Sequence, residues 1–214
     1  MNKRPHIVIV DYGVGNLWSL SKALFQFADV EITEEREKIE KADAIILPGV
    51  GTFKAGMEGL AVRGLTDVIK ERAKSGVPIL GICLGAQLLL ERGFEFGEHE
   101  GLRLIQGEVK KFPDMPKGVT IPIIGWQEVV PSEAPSADML FAGLSKPFFY
   151  FVHSYVFAPK NDSVLARATY GGYAYAAAFG EKNIFGVQFH PEKSGRAGLA
   201  LLENFVQSIK AVKQ

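Results

Sequence analysis

Val77-Pro78-Ile79-Leu80-Gly81-Ile82-Cys83-Leu84-Gly85-Ala86-Gln87-Leu88-Leu89-Leu90 joins two kinds of local pattern, and that join decides the fold. Residues 77–82 form a short apolar run of the kind that makes a strand covered on both faces of a parallel sheet. From Ala86 to Arg92 the chain is rich in helix formers. Cys83, the only cysteine, therefore falls on a strand-to-helix turn. Gly81-x-Cys83-x-Gly85 has the spacing of a nucleophile elbow, in which small neighbours relieve crowding around a residue held on a sharp turn. A thiol there meets the positive end of the following helix, the end that favours a thiolate. Cys83 is thus the candidate nucleophile, and the bland alternative is a small buried hydrophobe.

The chain before this stretch repeats its pattern. His6-Ile7-Val8-Ile9-Val10 reads as a buried strand, followed by a helix with Leu17, Leu20, Leu24 and Phe27 at spacings of three and four and Asn16 as its N-cap. The loop between them, Asp11 to Asn16, is no dinucleotide fingerprint, because Trp18 stands where a small residue must let helix and strand pack closely. Thr33 to Lys41 reads as a charged, solvated segment, and Asp43 to Leu47 as the next buried strand, ending in Pro48-Gly49-Val50-Gly51. Phe53, Met57, Leu60, Ala61, Leu65, Val68 and Ile69 then form a helical stripe that returns the chain to Val77. Strand and helix alternate three times, which predicts an α/β fold of flavodoxin-like type, a mostly parallel sheet flanked by helices. Ligands in such sheets sit outside the carboxyl ends of the strands, so Gly13, Gly49 to Gly51 and Cys83 should share one rim. Pro48 to Gly51 is either a simple chain breaker or, beside a nucleophile, a source of backbone N–H groups for a developing oxyanion.

After Gly93 the alternation stops. Val119–Ile124, Phe148–His153, Ser163–Ala168, Tyr173–Phe179 and Asn183–Phe189 read as short strands, antiparallel additions in the C-terminal half. Pro131 to Pro135 reads as an exposed loop, and Ala200, Leu202, Phe205, Val206 and Ile209 as a closing helix. His190-Pro191-Glu192 ends the last strand with an imidazole and, across a proline, a carboxylate, a pattern that suits a base and its orienter. His190 as an ordinary surface histidine is the alternative. His153 is the rival base, although the next acid along the chain is Asp162.

Length and composition limit the classes of function. A chain of 214 residues with 47% hydrophobic content fits one domain spanning 1–214. Its 24 basic and 24 acidic residues cancel, leaving no global field for nucleic acid or an anionic membrane. No apolar stretch approaches the roughly 18 residues that span a bilayer, and the first residues lack a signal-peptide pattern. A single cysteine excludes an internal disulfide and C-x-x-C metal sites, and suits a reducing cytoplasm. No metal and no cofactor are expected.

Gly81-Ile82-Cys83-Leu84-Gly85-Ala86-Gln87 together with His190-Pro191-Glu192 resembles the class I, or triad, glutamine amidotransferases. Asp11 to Leu17, Leu47 to Phe53, Gly125-Trp126, Tyr150 to Tyr155 and Gly186 to Ser194 further resemble the glutaminase subunits of imidazole glycerol phosphate synthases, over nearly the whole chain. The resemblance implies a Cys83, His190, Glu192 triad that releases ammonia from glutamine through a cysteinyl thioester. It implies an oxyanion hole of the Val50 and Leu84 backbone N–H groups, and a substrate site of Gly49, Gly51, Gln87, His153, Ser154 and Tyr155. It also implies a heterodimer with a (β/α)8-barrel cyclase subunit that makes imidazole glycerol phosphate and aminoimidazole carboxamide ribotide in histidine biosynthesis, with Asn16 and Trp126 near that partner. By their residue types alone, Gln87 is equally a surface residue and Trp126 a core one. Ala86 and Gln127 depart from the methionine and asparagine common in those subunits. A related glutaminase serving another amination, such as that of a surface sugar, and a cysteine hydrolase or chaperone of similar fold are the alternatives.

Overall fold

The computed structural model describes residues 4–212. The strands are β1 (His6–Val10), β2 (Asp29–Thr33), β3 (Ala44–Leu47), β4 (Ile79–Ile82), β5 (Arg92–Gly93), β6 (His99–Glu100), β7 (Gly107–Lys111), β8 (Ile123–Pro131), β9 (Phe148–His153), β10 (Tyr155–Pro159), β11 (Val164–Tyr170), β12 (Tyr173–Glu181) and β13 (Ile184–Val187). The helices are α1 (Leu17–Leu24), α2 (Arg36–Lys41), α3 (Phe53–Val62), α4 (Leu65–Lys74), α5 (Leu84–Leu88), α6 (Pro135–Phe141) and α7 (Gly195–Val212).

The part of the sheet that positions the elbow runs β2-β1-β3-β4-β13, with every neighbouring pair parallel. This is the flavodoxin-like order, except that its last strand is supplied by β13, after the chain has built the antiparallel region. All residues of β3, β4 and β13 are buried, as expected of strands covered on both faces. Successive side chains feed different cores. Ile7 and Ile9 of β1 pack with Leu20 and Leu24 of α1 and with Leu202, Phe205 and Ile209 of α7. Val8 and Val10 pack with Ile39 of α2, Leu60 of α3 and Val68 and Ile69 of α4. Beyond β13 the sheet continues through antiparallel β12 and β10, and β12 also pairs with β11, which leads through β8 to β9. β8 alternates between buried and more exposed residues along much of its length, the pattern of a strand with one face on the core.

Several sequence expectations change here. The Thr33 to Lys41 segment is solvated on one side only. It contains α2, whose Ile39 is fully buried while Lys38 pairs with Glu31 and Glu35 and Arg36 with Glu40 and Glu71. The stripe from Phe53 to Ile69 is two helices, broken at Gly64 with φ 66°, and Ala61 faces solvent. Residues 119–122 are not strand, and β8 starts only at Ile123. The expected loop from Pro131 joins the end of β8 to α6, with Pro135 at the first turn where its missing N–H costs nothing. Among the described residues no helix is long and apolar enough to cross a membrane.

Candidate active site

Cys83 leaves β4 with φ 53° and ψ −111°, a conformation that costs a residue with a β-carbon roughly 1–3 kcal/mol and persists only where its surroundings enforce it. Its N–H donates to Val187 O of β13 at 2.8 Å, and its carbonyl accepts from Gln87 N at 3.1 Å, starting α5. The flanking glycines are required by close approach. A Cβ at Gly85 would lie 1.8 Å from Leu47 O, and one at Gly81 would lie 2.5 Å from the Ala86 Cα. The thiol is 6% exposed, with Gln188 Nε2 3.6 Å and Val152 O 3.9 Å from Sγ.

β13 runs beside β4 and carries the chain to His190 on the same rim. The ring is anchored through its backbone, because His190 N–H donates to Tyr150 O at 2.9 Å and Ser194 Oγ–H donates to His190 O at 2.6 Å. Its Nδ1 lies 2.8 Å from Glu192 Oε1, so Nδ1 carries the hydrogen and Nε2 remains. That Nε2 is buried without a hydrogen-bond partner. Burial disfavours the charged ring, but Cys83 and Glu192 outweigh it and raise the His190 pKa to about 9.

His153, at the end of β9, is tuned the other way. Burial pushes its pKa down to about 4, against the opposing hydrogen bond from Nδ1 to Tyr155 O at 2.8 Å. The Cys83 site thus holds one histidine biased toward imidazolium and one held neutral, and only His190 has a carboxylate on its ring. A buried neutral histidine gives a pH dependence of known sign. The unfolded chain takes up the His153 proton near pH 6.5 and the folded chain only near 4, so this contribution is fully present above about 6.5 and is lost as pH falls from there. We expect the urea midpoint of the wild type to fall between about pH 6.5 and 4 more steeply than that of His153→Asn, by an amount on the order of 3 kcal/mol at the acid end. Parallel curves for the two proteins would contradict it.

Cys83 and Leu84 open into a cavity of about 260 Å³, also lined by Val50, Gly51, Gln87, Glu95, Pro122, Val152, His153, Ser154 and Tyr155. It is smaller than the roughly 300–1,000 Å³ of sites for drug-sized ligands, and suits a substrate of amino-acid size. Gly49 lines a second, smaller cleft on the other side of Val50, with Asn16, His190, Glu192 and Lys193. Leu84 N–H donates to Gly49 O at 3.3 Å, so one backbone donor expected to face an oxyanion is occupied by a carbonyl of the Pro48 to Gly51 strand. Tyr12, 1% exposed, holds the same strand through a hydrogen bond from its hydroxyl to Pro48 O. Burial foremost, and then Cys83, hold the Tyr12 phenol neutral, with its pKa well above the usual range.

Two residues at the site were not singled out by sequence. Gln188 is fully buried and bonded to both Cys83 and Gln87, and its only signal was a polar residue inside the apolar run before His190. Glu95 reaches the cavity from the irregular chain after β5, where its Oε2 accepts the Phe53 N–H at 2.7 Å, and no local pattern marks it. Asn16 is exposed, with its side chain accepting from Ser19 N at 3.3 Å as the helix cap. Trp126 is half exposed, on a β8 and β9 surface that also shows Ile124 and Phe148 to solvent. Its ring packs edge-on to Tyr150 at 6.2 Å, and Lys193 Nζ stands 6.0 Å over that tyrosine, so this apolar surface reaches the turn that carries His190 and Glu192. Ala86 is buried in the core, and Gln127 pairs with Phe149 across β8 and β9.

Residues 8–209 match the family model of glutamine amidotransferase class-I. The chain is 44% identical over 209 residues to the imidazole glycerol phosphate synthase subunit HisH of Moorella thermoacetica, covering 97% of this chain and 96% of that protein. It is 42% identical over 204 residues to the subunit of the same name from Lactococcus lactis, covering 95% and 98%. Among solved structures, a GMP synthase subunit from Thermoplasma acidophilum superposes with a TM-score of 0.73 at 19% identity, covering 100% and 98% of the two chains. PurLQS from Thermotoga maritima gives 0.72 at 19%, covering 96% and 99%, and both likenesses concern the fold alone. The elbow, the fold and the near full-length identity agree, and the chain belongs to the class-I glutamine amidotransferases, in the HisH branch of that family.

Proposed function

We propose that this chain hydrolyses glutamine to glutamate and ammonia and passes the ammonia to a (β/α)8-barrel cyclase subunit, for synthesis of imidazole glycerol phosphate and aminoimidazole carboxamide ribotide in histidine biosynthesis. The observation that carries the reading is the buried Cys83 elbow beside a His190 ring whose Nδ1 is held by Glu192 and whose Nε2 is without a partner. Cys83 Sγ attacks the side-chain amide carbon of glutamine. The His190 imidazolium then gives its Nε2 proton to the leaving nitrogen, so that ammonia departs and a glutamyl thioester remains. His190 next takes a proton from water, which adds to the thioester carbonyl, and collapse of that adduct restores the thiolate and frees glutamate. Glu192 holds the ring tautomer and stabilises the imidazolium in both steps.

In the same cavity Gln87, Ser154, Tyr155 and the Glu95 carboxylate suit the amino-acid end of the substrate, with Glu95 facing its ammonium group. Gly49, Gly51 and His153 form the remaining contacts of the proposed substrate site. The exposed surface of Ile124, Trp126 and Phe148 is our candidate docking surface for the cyclase, with Asn16 at the cleft behind Val50. A free-thiol nucleophile suits the reducing cytoplasm. Trapping tests the chemistry directly. Glutamine and hydroxylamine, added to the complex, should yield γ-glutamyl hydroxamate at the expense of glutamate. Glutamate formation that hydroxylamine leaves untouched would contradict a thioester.

The bond from Leu84 N–H to Gly49 O makes this a resting arrangement, in which the oxyanion donors are not yet free. Partner binding must reorient the strand from Pro48 to Gly51, and the chain alone should be a slow glutaminase. Because Tyr12 tethers that strand, Tyr12→Phe should raise glutamate release by the isolated chain about fivefold, the worth of one hydrogen bond near 1 kcal/mol. Unchanged or lower activity of the isolated variant would remove Tyr12 from this role.

A further inference from the structure

We propose that Gln188 is a positioning residue for glutamine hydrolysis, linking the charge on Cys83 to the orientation of the Gln87 carboxamide that meets the substrate. The inference rests on the glutaminase reading and adds a residue to it. Gln188 is fully buried, just past the end of β13, with its backbone N–H donated to Ala177 O at 2.9 Å. Its side chain has two partners. Nε2 donates to Cys83 Sγ at 3.6 Å, and Oε1 accepts from Gln87 Nε2 at 3.2 Å.

The order of donors and acceptors along this chain is dictated from one end. A thiolate can only accept, so it draws the NH2 group of Gln188 and turns the Gln188 oxygen toward Gln87. That oxygen can only accept, so it draws the NH2 group of Gln87. The Gln87 oxygen is then left for the cavity, where it presents an acceptor to a donor on the substrate. Both carboxamides are buried, so reversing either would oppose like ends in a site with little water to compensate. The same chain explains why an uncharged polar residue lies at the end of an otherwise apolar strand. The ionisable groups near the thiol are His190 and Glu192 from the turn after β13, Tyr12 from the loop after β1 and His153 from β9. Gln188 adds a donor to the sulfur without adding a charge.

Two variants separate the two ends of the link. Gln188→Glu keeps the shape and still accepts from Gln87 but cannot donate to a thiolate, whereas Gln188→Leu removes both contacts. Each is measured in two ways, by kcat and KM for glutamine in the complex and by the rate of Cys83 alkylation with iodoacetamide across pH. We expect Gln188→Glu to lower kcat about tenfold to a hundredfold with KM within about twofold of wild type, and to move the alkylation profile to higher pH. Gln188→Leu should lower kcat by a similar factor and also raise KM about tenfold, because Gln87 is no longer oriented. An alkylation profile identical to wild type in Gln188→Glu, or a KM unchanged in Gln188→Leu, would overturn the proposal. The alkylation arm needs no glutamine, so it judges the contact from Gln188 to Cys83 even if the wild-type complex proves not to hydrolyse glutamine.

Discussion

Cys83→Ala should lower glutamine-dependent synthesis by the reconstituted complex by more than about 10⁴-fold, while synthesis from added ammonium salt stays close to wild type. The two halves of this result come from different parts of the structure. Removing the sulfur removes the attacking atom and the partner of His190 and Gln188, so no thioester forms. The backbone of the elbow is held by Val187 O and Gln87 N, neither of which involves the side chain, so the proposed docking surface should survive. Alanine at this position keeps a β-carbon and so inherits the strained φ of 53°, making the variant a fair test of chemistry rather than of fold. Glutamine-dependent turnover retained in Cys83→Ala would remove the nucleophile assignment. Loss of both activities would place Cys83 in the assembly of the complex instead.

Gly85→Ala is the second large effect, and it acts on the fold. The new β-carbon would lie 1.8 Å from Leu47 O and 2.5 Å from Leu47 C, backbone atoms at the end of a strand buried on both faces. Neither the elbow nor β3 can yield without breaking the ladder between β3 and β4. We expect a loss above about 4 kcal/mol, or a fall in Tm of roughly 10 °C or more for a chain of this size, with little soluble protein recovered. Gly64→Ala is the comparison. Its φ is 66° but nothing lies within 4 Å of the added carbon, so only the left-handed backbone is penalised, at about 1–2 kcal/mol. Equal Tm values for the two variants would show that the elbow is not packed against β3 as described.

The parts of the fold that could be read from the sequence were those where one local pattern served one purpose. The buried runs of β1, β3, β4 and β13 were legible because strands covered on both faces must be apolar throughout. β2 was not, since its sequence Asp29-Val30-Glu31-Ile32-Thr33 has acidic residues at an edge of the sheet. Gly64 hid inside a continuous apolar stripe, because helical spacing is indifferent to one residue that turns the chain. The glycine spacing around Cys83 marked the elbow, and the His190-Pro191-Glu192 pattern marked the paired ring and carboxylate. Glu95 and Gln188 were silent because their neighbours at the site come from distant parts of the chain. Gln188 meets Cys83 across 105 residues, a contact made by the pairing of β4 with β13 and by nothing local.

The central claim is that ammonia made at Cys83 is delivered to a second protein rather than released. Glutamine labelled with ¹⁵N in its side-chain amide, supplied to the complex with the phosphoribulosyl substrate and an excess of unlabelled ammonium, tests it most directly. The account predicts imidazole glycerol phosphate carrying the label undiluted, with one glutamate formed per ring. Label diluted to the composition of the bulk ammonium, or glutamate formed without labelled product, would contradict it.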